Sequence, residues 1–439
     1  MPTRNDSSVV SGPGFAPGLA PTKAAPAQAS VLAVVVVTSG DLDQLDRNLD
    51  ALLRQDLRAR YDILIVEDDP DPATARMVAA WSLRQAATSP TAPHGARLRY
   101  LPNHGRTRGA GAVRNLGWRA ADAQIIAFTV DDTVAAVDWL RHAMAAFTAP
   151  LTDRAARRAI TSLGLGLNAD ADADVNVDVP TLPGTTPVRS NVAEVVEVVE
   201  VVDAAEVVDA AGAADLADVA DLADVADVAD VADVAVGSVD CRLPSHPTEA
   251  QRQCFERAGG AFVGCNWFYR RSVLERLGGF DKRFGDPFLT DTDLYFRLLE
   301  AGARVLPVPA ATVAHPLLAS PWWASVTQLS ALRNAALLFK KHPQRYRDHI
   351  GRPPHWHDLA VVFALLLAAG ALWRRHEVLA VAAGGSWLVL TAMLAIRRLR
   401  GTAKSASHVS AVLLTAPMLP PLALFWRLAG AVRHRVPYA

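Results

Sequence analysis

The chain has 439 residues, which is enough for two or three domains. It is 51% hydrophobic and has a mean hydropathy of +0.15, which is high for a purely soluble protein. Its three cysteines are odd in number and show no CxxC spacing, which argues against a disulfide framework and against a zinc site. We interpret Cys241, Cys254 and Cys265 as small core residues in a reducing compartment.

The formal net charge of -1 conceals an uneven distribution of charge along the chain. Residues 168–236 hold 13 Asp, four Glu and one base, Arg189, whereas the remainder holds 43 bases and 28 acids. A basic body suits an anionic substrate such as a nucleotide diphosphate, or an anionic membrane face. Ordinary solvated charge explains the same composition equally well, so charge alone does not separate these interpretations.

Two segments have a composition that does not favour a packed core. Residues 1–30 are rich in Pro, Ala, Gly and Ser and lack the pattern of a signal peptide, so we predict a disordered tail. From Asp215 to Asp233 an Asp recurs at every third residue, which would ring a helix with like charges. We therefore predict that residues 168–236 form an acidic low-complexity insertion, either disordered or a fluctuating helix. Plain solvation explains such a run, and docking of a basic partner is the functional alternative.

Strand patterns alternate with helical patterns on both sides of this insertion. The continuous apolar run at 31–37 fits a strand that is buried on both faces. Further strands are predicted at 61–66, 97–101, 124–130 and 305–308, and helices at 42–53, 77–86, 109–121, 270–277 and 294–301. This alternation predicts an α/β fold with an open, mostly parallel sheet.

Polar residues follow the predicted strands at their carboxyl ends, which is where open α/β sheets bind ligands. These residues are Thr38, Glu67, Asp68, Asp131 and Asp132. Their clustering predicts a ligand site without depending on any single motif.

A glycine-rich stretch at 109–115 invites comparison with dinucleotide-binding loops. It lacks the third glycine and does not lie in the first βα turn, so we reject that interpretation. A close approach of a helix to its neighbour explains the glycines at least as well. Arg114, within this stretch, either faces a phosphate or is a solvated helix residue.

A second acidic cluster precedes the helix predicted at 294–301. Gly278 and Gly279 are predicted to end the helix before it. Thr290 or Asp291 is predicted to cap the helix that follows. A carboxylate at a helix start suits a general base, and a plain N-cap is the structural alternative.

Three apolar segments near the C-terminus have the composition of membrane spans. The segment 359–373 is short for a span, since ~20 residues are usually needed. The segment 378–396 is longer and carries no charge. The segment 409–426 carries three prolines, which predict a kinked or a re-entrant path. A buried helical hairpin in a soluble protein is the alternative interpretation.

Basic residues beside these segments bear on their orientation. Four bases between 397 and 404 favour a cytoplasmic loop and a cytoplasmic N-terminal domain, whereas the Arg-Arg-His sequence at 374–376 cuts against this topology. The predicted units are a domain at 31–330, a basic and aromatic juxtamembrane segment at 331–356, two or three transmembrane helices at 357–426 and a basic tail at 427–439.

The motifs in residues 31–167 and 237–316 resemble those of a family-2 glycosyltransferase of the GT-A fold. Residues 65–69 resemble the family's Val-Asp-Asp-Gly-Ser element, which holds the base of a nucleotide sugar. Residues 109–115 resemble its Gly-x-x-x-Ala-Arg-Asn element, and residues 128–132 resemble its metal-binding Asp-x-Asp strand end.

The acceptor side of the family also has counterparts in this chain. Residues 278–281 and 290–294 resemble the Gly-Gly-Phe-Asp and Glu-Asp-x-Asp-Leu pair. Two positions depart from the family pattern: Val130 replaces the first Asp of Asp-x-Asp, and Thr290 replaces the Glu before the base. Metal binding and turnover are the properties that these departures affect.

The resemblance implies a fold, a cofactor and a role for each matched residue. It implies a GT-A sheet, a nucleotide-sugar donor and a divalent metal, Mn²⁺ or Mg²⁺. The implied donor-binding residues are Thr38, Glu67, Asp68, Arg114 and Asp131. The implied metal ligands are Asp132, Asp131 and His315, and the implied general base is Asp291.

These features predict a membrane-bound, inverting glycosyltransferase that moves a sugar from a nucleotide-sugar donor to a hydroxyl acceptor. We expect a lipid-linked or cell-envelope acceptor at the inner membrane, with the catalytic domain in the cytoplasm and no nucleic-acid partner. The lack of a Gln-x-x-Arg-Trp sequence favours non-processive transfer. The alternatives are a catalytically silent relative that acts as a membrane scaffold or binding protein, and a nucleotide-sugar-forming transferase.

Overall fold

The structure is a computed structural model. It describes residues 30–88, 95–148, 231–258, 264–285, 287–317, 321–351 and 355–437. The tail predicted at 1–29 and the acidic insertion up to residue 230 lie outside these ranges.

Eight strands form one sheet in the order β3-β2-β1-β4-β7-β6-β8-β5. The strands are β1 (Ser30–Thr38), β2 (Tyr61–Glu67), β3 (Ala96–Pro102), β4 (Ala123–Val130), β5 (Val134–Ala135), β6 (Val234–Asp240), β7 (Trp267–Arg270) and β8 (Val305–Ala314). The first four strands in this order run parallel to one another, and β6 runs parallel to β8. The pairs β4–β7, β7–β6 and β8–β5 are antiparallel. The sheet is therefore mixed and mostly parallel, which confirms the predicted fold class.

Seven helices pack within the described residues of the sheet-forming part of the chain. They are α1 (Leu42–Leu53), α2 (Pro72–Thr88), α3 (Ala110–Ala120), α4 (Trp139–Thr148), α5 (Glu249–Ala258), α6 (Arg271–Leu277) and α7 (Pro287–Glu300). Three short helices follow, α8 (Ala324–Gln328), α9 (Leu332–Lys341) and α10 (Pro343–His349), and a 3-10 turn joins α8 to α9. Four more complete the chain: α11 (Trp356–Trp373), α12 (Glu377–Leu399), α13 (Ala406–Thr415) and α14 (Leu419–His434).

The two faces of the sheet carry separate hydrophobic clusters. Along β1, Val34 belongs to a cluster covered by α1, α2 and α4, whereas Val35 belongs to one covered by α3, α6, α7 and α9. Both side chains are fully buried, as the alternation of side chains along a strand requires when helices cover both faces.

The acidic insertion ends earlier than predicted. Strand β6 begins at Val234, inside the segment predicted as low complexity, and it lies between β7 and β8 in the sheet. Ala232 is fully buried, and Asp233 pairs with Arg304 at 3.3 Å. The last residues of the Asp repeat therefore belong to the core, because their apolar members pack in the sheet.

The predicted juxtamembrane segment at 331–356 is in large part a core element. Helix α9 buries Ala336, Leu338 and four other side chains, and it packs in the same cluster as α3 and α7. The basic residue at its end, Lys341, pairs with carboxylates inside the domain. The segment at 332–341 thus extends the domain that contains the sheet, since its apolar face packs in the core.

Among the described residues, α11 and α12 are long and apolar enough to cross a membrane. The third predicted segment is two helices, α13 and α14, which meet at a bend of 49°. This break confirms the interruption predicted from the prolines, since Pro417 lies in it and Pro420 lies in the first turn of α14. Helix α14 also continues to His434, so the first part of the predicted basic tail is helical.

Candidate active site

The parallel strands β1, β2 and β4 end side by side, so the polar residues that follow them meet at one edge of the sheet. Thr38 Oγ1 donates a 2.8 Å hydrogen bond to Asp131 Oδ2 across this edge. The backbone N–H of Ser39 donates to the same oxygen at 2.8 Å. The structure therefore brings together the ends of β1 and β4 as the sequence predicted.

Asp131 is buried and joins the β1 loop to the β4 loop. Burial raises the pKa of its carboxyl group, and the hydrogen bonds from Ser39 and Thr38 offset only part of that rise. Because one of its oxygens accepts from both residues, Asp131 holds the backbone from which Asp132 projects.

The carboxylate of Glu67, at the end of β2, accepts hydrogen bonds from other groups of the protein. It accepts from the Asp71 N–H at 3.0 Å and from Thr74 Oγ1 at 2.8 Å. It also accepts from the Tyr100 hydroxyl. The side chain is buried, so it shapes the start of α2.

Asp68 anchors the loop between β3 and α3. Its Oδ1 accepts from Asn103 Nδ2 at 2.7 Å, and its Oδ2 accepts from the Gly109 N–H at 2.6 Å. Gly109 has a φ of +100°, which favours glycine, and lies against the backbone of Gly285. Asp68 thereby connects the predicted donor side of the site to the loop before α7.

Strand β8 delivers His315 to Asp132. Its last residue, Ala314, pairs with Val134 just after the β4 loop. His315 Nε2 then lies 3.3 Å from Asp132 Oδ2. The hydrogen bond to Asp132 raises the pKa of His315, although burial works against it.

Two atoms of this pair are buried without a hydrogen-bond partner: Asp132 Oδ1 and His315 Nδ1. Unpaired buried polar atoms are costly, and a carboxylate oxygen with an imidazole nitrogen is a donor set that divalent metals accept. No group of three His, Cys, Asp or Glu side chains converges on one point within the described ranges. The pair therefore fits a metal that takes its remaining ligands from substrate phosphates and water, as Mg²⁺ commonly does.

Asp291 lies inside α7 and does not cap it. The helix begins at Pro287, about two turns before the start predicted at residue 294, so the N-cap interpretation is wrong. Its carboxylate pairs with Arg114 from α3 and accepts from the Gly264 N–H at 3.1 Å. The Arg114 side chain is 4% exposed and the Asp291 side chain 10% exposed. Arg114 was predicted to face the donor, and the structure gives it Asp291 as its partner instead.

Cys265 connects the two halves of the site. Its buried thiol has a pKa raised to about 12, first by desolvation and then by the nearby charges of Asp132 and Asp291. The turn that begins at Gly264 therefore runs beside both the Asp132–His315 pair and the predicted base. Cys265 is a core residue, as predicted. Its position between Asp132 and Asp291 was not predicted from the sequence.

Lys341 links α9 to the Gly-Gly-Phe-Asp sequence at 278–281 and to α7. It pairs with Asp281 Oδ2 at 2.9 Å and also with the fully buried Asp293. Arg297 Nε and His342 Nε2 contact Asp293 at 2.9 and 3.2 Å. Asp293 is thus a structural residue that fixes α7 against α9.

Several residues of the site carried no signal in the sequence. Ser39, Asn103, Gly264 and Lys341 all contact predicted site residues. Each contacts a residue far away in the chain, from 27 positions for Gly264 and Asp291 to 92 positions for Ser39 and Asp131. Only the folded sheet brings such pairs together.

Comparison with known proteins finds a matching family model for part of the chain. Residues 33–162 match the model for glycosyl transferase family 2. No curated protein matches the chain. The match covers the part of the chain that holds Asp68, Arg114 and Asp132.

Solved structures similar to this chain include a mannosyltransferase from Pyrobaculum calidifontis, PcManGT, in complex with GDP-Man and Mn²⁺. It is 17% identical, covers 93% of this chain and 87% of its own, and has a TM-score of 0.39. Residues 1–349 of S. aureus TarS in complex with UDP-GlcNAc are 11% identical, cover 93% of both chains and have a TM-score of 0.38.

Proposed function

We propose that this protein is an inverting glycosyltransferase that moves a sugar from a nucleotide-sugar donor to a hydroxyl acceptor. The observation that carries the proposal is the placement of Asp291. Its carboxylate is held by Arg114 and by the N–H of Gly264. The turn that begins at Gly264 also passes the Asp132–His315 pair. Transfer of a sugar from a nucleotide diphosphate uses a base for the acceptor hydroxyl and a metal for the diphosphate, and the Asp132–His315 pair is suited to hold that metal. The family match supports the donor class.

The donor would bind at the carboxyl edge of the parallel strands. Asp68, which stays partly exposed, is proposed to contact the nucleotide base. Thr38, Glu67 and Asp131 are buried, and their proposed contribution is the shape of the donor pocket. Arg114 would contribute through Asp291, since its guanidinium is paired there.

Asp132 and His315 are proposed to hold a divalent metal, Mn²⁺ or Mg²⁺. When bound, such a metal offsets the negative charge that develops on the diphosphate leaving group. Asp131, also predicted as a ligand, would act by fixing the backbone beside Asp132, because its carboxylate already accepts from Thr38 and Ser39.

Asp291 is proposed to take the proton of the acceptor hydroxyl as that hydroxyl attacks the sugar. The ion pair with Arg114 and the N–H of Gly264 fix the orientation of its carboxylate. Attack on the face opposite the leaving group inverts the configuration of the anomeric carbon. A single base without a second nucleophilic carboxylate suits this one-step displacement.

The membrane is the proposed place of the reaction. Helices α11 and α12 are long enough to cross it, and the catalytic domain contacts the end of α12 that carries bases at 397–404. Basic loops face the cytoplasm, so this contact supports a cytoplasmic catalytic domain at the inner membrane. A lipid-linked or cell-envelope acceptor that receives one or a few sugars fits this position.

The test is release of nucleoside diphosphate from a panel of nucleotide sugars by the purified, detergent-solubilised protein. Membrane lipid extract supplies the acceptor, and Mn²⁺, Mg²⁺ or EDTA is added. We expect metal-dependent release that needs the extract. Asp291→Asn should abolish it, whereas Asp122→Asn, which changes an exposed carboxylate, should not.

Three other outcomes would each redirect the proposal. Donor binding without release across the panel would support the silent scaffold that Val130 and Thr290 suggest. Release of pyrophosphate would indicate a nucleotide-sugar-forming enzyme. Full activity in Asp291→Asn would remove Asp291 as the base.

A further inference from the structure

The broken helix pair α13–α14 is bound to the catalytic domain at its start. Just before α13, the Ala403 N–H donates a 2.7 Å hydrogen bond to Pro247 O. Arg252 Nη1 donates to Arg400 O at 2.7 Å. The chain therefore leaves α12 at the level of the catalytic domain.

The end of α13 is held at the same level. Arg398 donates from Nη1 to Thr415 Oγ1 at 2.9 Å, and Thr415 is the last residue of α13. The same guanidinium pairs with Glu249 of α5 and donates to Ser325 Oγ of α8. Both ends of α13 thus lie beside the catalytic domain, so this helix does not carry the chain away from it.

The second half of the pair is bound to the domain as well. A Cβ on Gly430 would overlap the backbone of Arg333, which shows how closely α14 approaches α9. Lys340 Nζ donates to His434 O at 2.7 Å at the end of α14. Near the middle of α14, Arg427 pairs with Asp358 in the first turn of α11 at 2.5 Å.

These contacts leave no room for a third span. Between Thr415 and Gly430 the chain has at most one short helix, and a helix rises ~1.5 Å per residue. A crossing needs ~20 residues, and its two ends would lie on opposite sides of the hydrocarbon layer. Here both ends contact one folded domain, and Arg427 meets the start of α11 instead of its middle.

The exposed side of α13–α14 is mostly apolar, although Ser407 and Ser410 are exposed in the first half of α13 and Arg433 is exposed near the end of α14. Six large side chains on it are exposed: Leu413, Leu414, Met418, Phe425, Leu428 and Val432. Two exposed tryptophans in edge-to-face contact, Trp322 and Trp323, precede α8, which packs against α14. The docked side of the pair is covered by protein and buries Val412, Thr415, Ala423 and Gly430. The large apolar side chains lie on the other side, which suits a helix pair in the interfacial layer of a bilayer, and tryptophans favour that layer.

We infer that residues 406–434 lie on the membrane surface as an interfacial platform beneath the catalytic domain. The partner of the apolar face is the lipid interface, because the platform is continuous with α12 and ion-paired to the start of α11. The described residues then contain two spans, and Pro437 lies on the same side as the catalytic domain. This inference rests on the proposed membrane location and not on the proposed glycosyl transfer.

The first test is the side of the membrane on which single cysteines react. In a variant without the native cysteines, Pro437→Cys, Asp122→Cys and His376→Cys are labelled with an impermeant maleimide in sealed vesicles of known orientation. Pro437→Cys should label together with Asp122→Cys, and His376→Cys should label from the opposite side. Labelling of Pro437→Cys together with His376→Cys would establish a third span and overturn the inference.

The second test is depth, measured by quenching of a cysteine-linked fluorophore with lipids brominated at different positions. Phe425→Cys and Val432→Cys should be quenched best by shallow bromines, whereas Val389→Cys, exposed in the middle of α12, should be quenched best by deep ones. Deep quenching at the two platform sites would indicate a span. No quenching there would mean that a protein covers the face, and both results would contradict the inference. Neither test uses catalytic activity, so its result stands apart from that of the function assay.

Discussion

Lys341 shows how a single side chain can join two motifs that are separate in the sequence. Its ammonium group pairs with Asp281 of the Gly-Gly-Phe-Asp sequence and with Asp293 in α7. Burial raises the pKa of both carboxyls, but hydrogen bonds outweigh it, so both end below their usual range. Among the groups that lower these pKa values, Arg283 has the largest effect at Asp281 and His342 has the largest effect at Asp293.

The lowered pKa values make part of the stability dependent on pH. An unfolded Asp has a pKa of about 3.9, so the folded state binds fewer protons and its advantage is lost as pH falls below about 4. We expect Lys341→Met to lower the free energy of unfolding at pH 7 by about 1–3 kcal/mol. The difference from the wild type should begin to shrink below pH ~4, where the carboxyls of the unfolded state take up protons while those of the folded state stay ionised. Denaturant unfolding between pH 7 and pH 3 measures this.

The matched control is Lys282→Met, which removes an exposed lysine beside the same motif. It should change stability little at any pH. A Lys341→Met deficit that stays constant from pH 7 to pH 3 would show that the lysine acts through packing and not through the two carboxylates.

Among the elements, the sequence predicted the parallel strands best. The predicted limits of β1, β2 and β4 agree with the structure to within one residue at each end, because strands buried on both faces are continuous apolar runs. Helix α7 was predicted to start late, since Thr290 and Asp291 are typical N-cap types, whereas the helix starts at Pro287. Strand β6 was hidden by the Asp repeat that leads into it.

Sequence patterns also placed the predicted acids at the correct edge but could not give their partners. The contact between Thr38 and Asp131 follows from parallel strand order alone. The pairing of Arg114 with Asp291 depends on how α3 and α7 pack across the sheet, which no local pattern records.

The close approach of α3 to the sheet depends on Gly117. A Cβ at this position would overlap Val35 and lie 3.1 Å from Val66 Cγ2, so α3 would have to move away from β1. We expect Gly117→Ala to lower the free energy of unfolding by about 1–3 kcal/mol, as overpacking usually does. Thermal or denaturant unfolding measures the loss.

Two further variants make this prediction specific. Gly95→Ala has nothing within 4 Å of the added Cβ and should be close to neutral. Val35→Ala should recover part of the loss when combined with Gly117→Ala, because it removes the methyl groups that the new Cβ meets. Purely additive losses in the double variant would show that the clash is not the cause.

At the scale of the whole molecule, the catalytic domain is held to the apolar helices by a buried ion pair. Arg398 and Glu249 are 6% and 8% exposed, and two hydrogen bonds of 2.6 and 2.5 Å join them. Breaking a buried pair by removing one partner costs about 3–5 kcal/mol, because the other charge is left without a partner. This pair therefore governs whether the domain and the helices behave as one body.

We expect Glu249→Gln to loosen this junction and to make the detergent-solubilised protein more sensitive to protease near Gly351, after α10. The exchanged pair Glu249→Arg with Arg398→Glu should restore part of the resistance. Arg397→Met, which removes an exposed neighbour, should leave the cleavage pattern unchanged. Equal resistance in Glu249→Gln and in the wild type would show that other contacts hold the junction.

The two membrane-length helices differ in length. Helix α11 has 18 residues, or ~27 Å at ~1.5 Å per residue, which is less than the ~30 Å of a typical hydrocarbon core. Arg374 and Arg375 follow it directly, and their long side chains can extend to the far headgroups. Such hydrophobic mismatch sorts proteins by bilayer thickness, so we expect a protein with α11 as a span, as proposed above, to prefer thin membranes with short acyl chains.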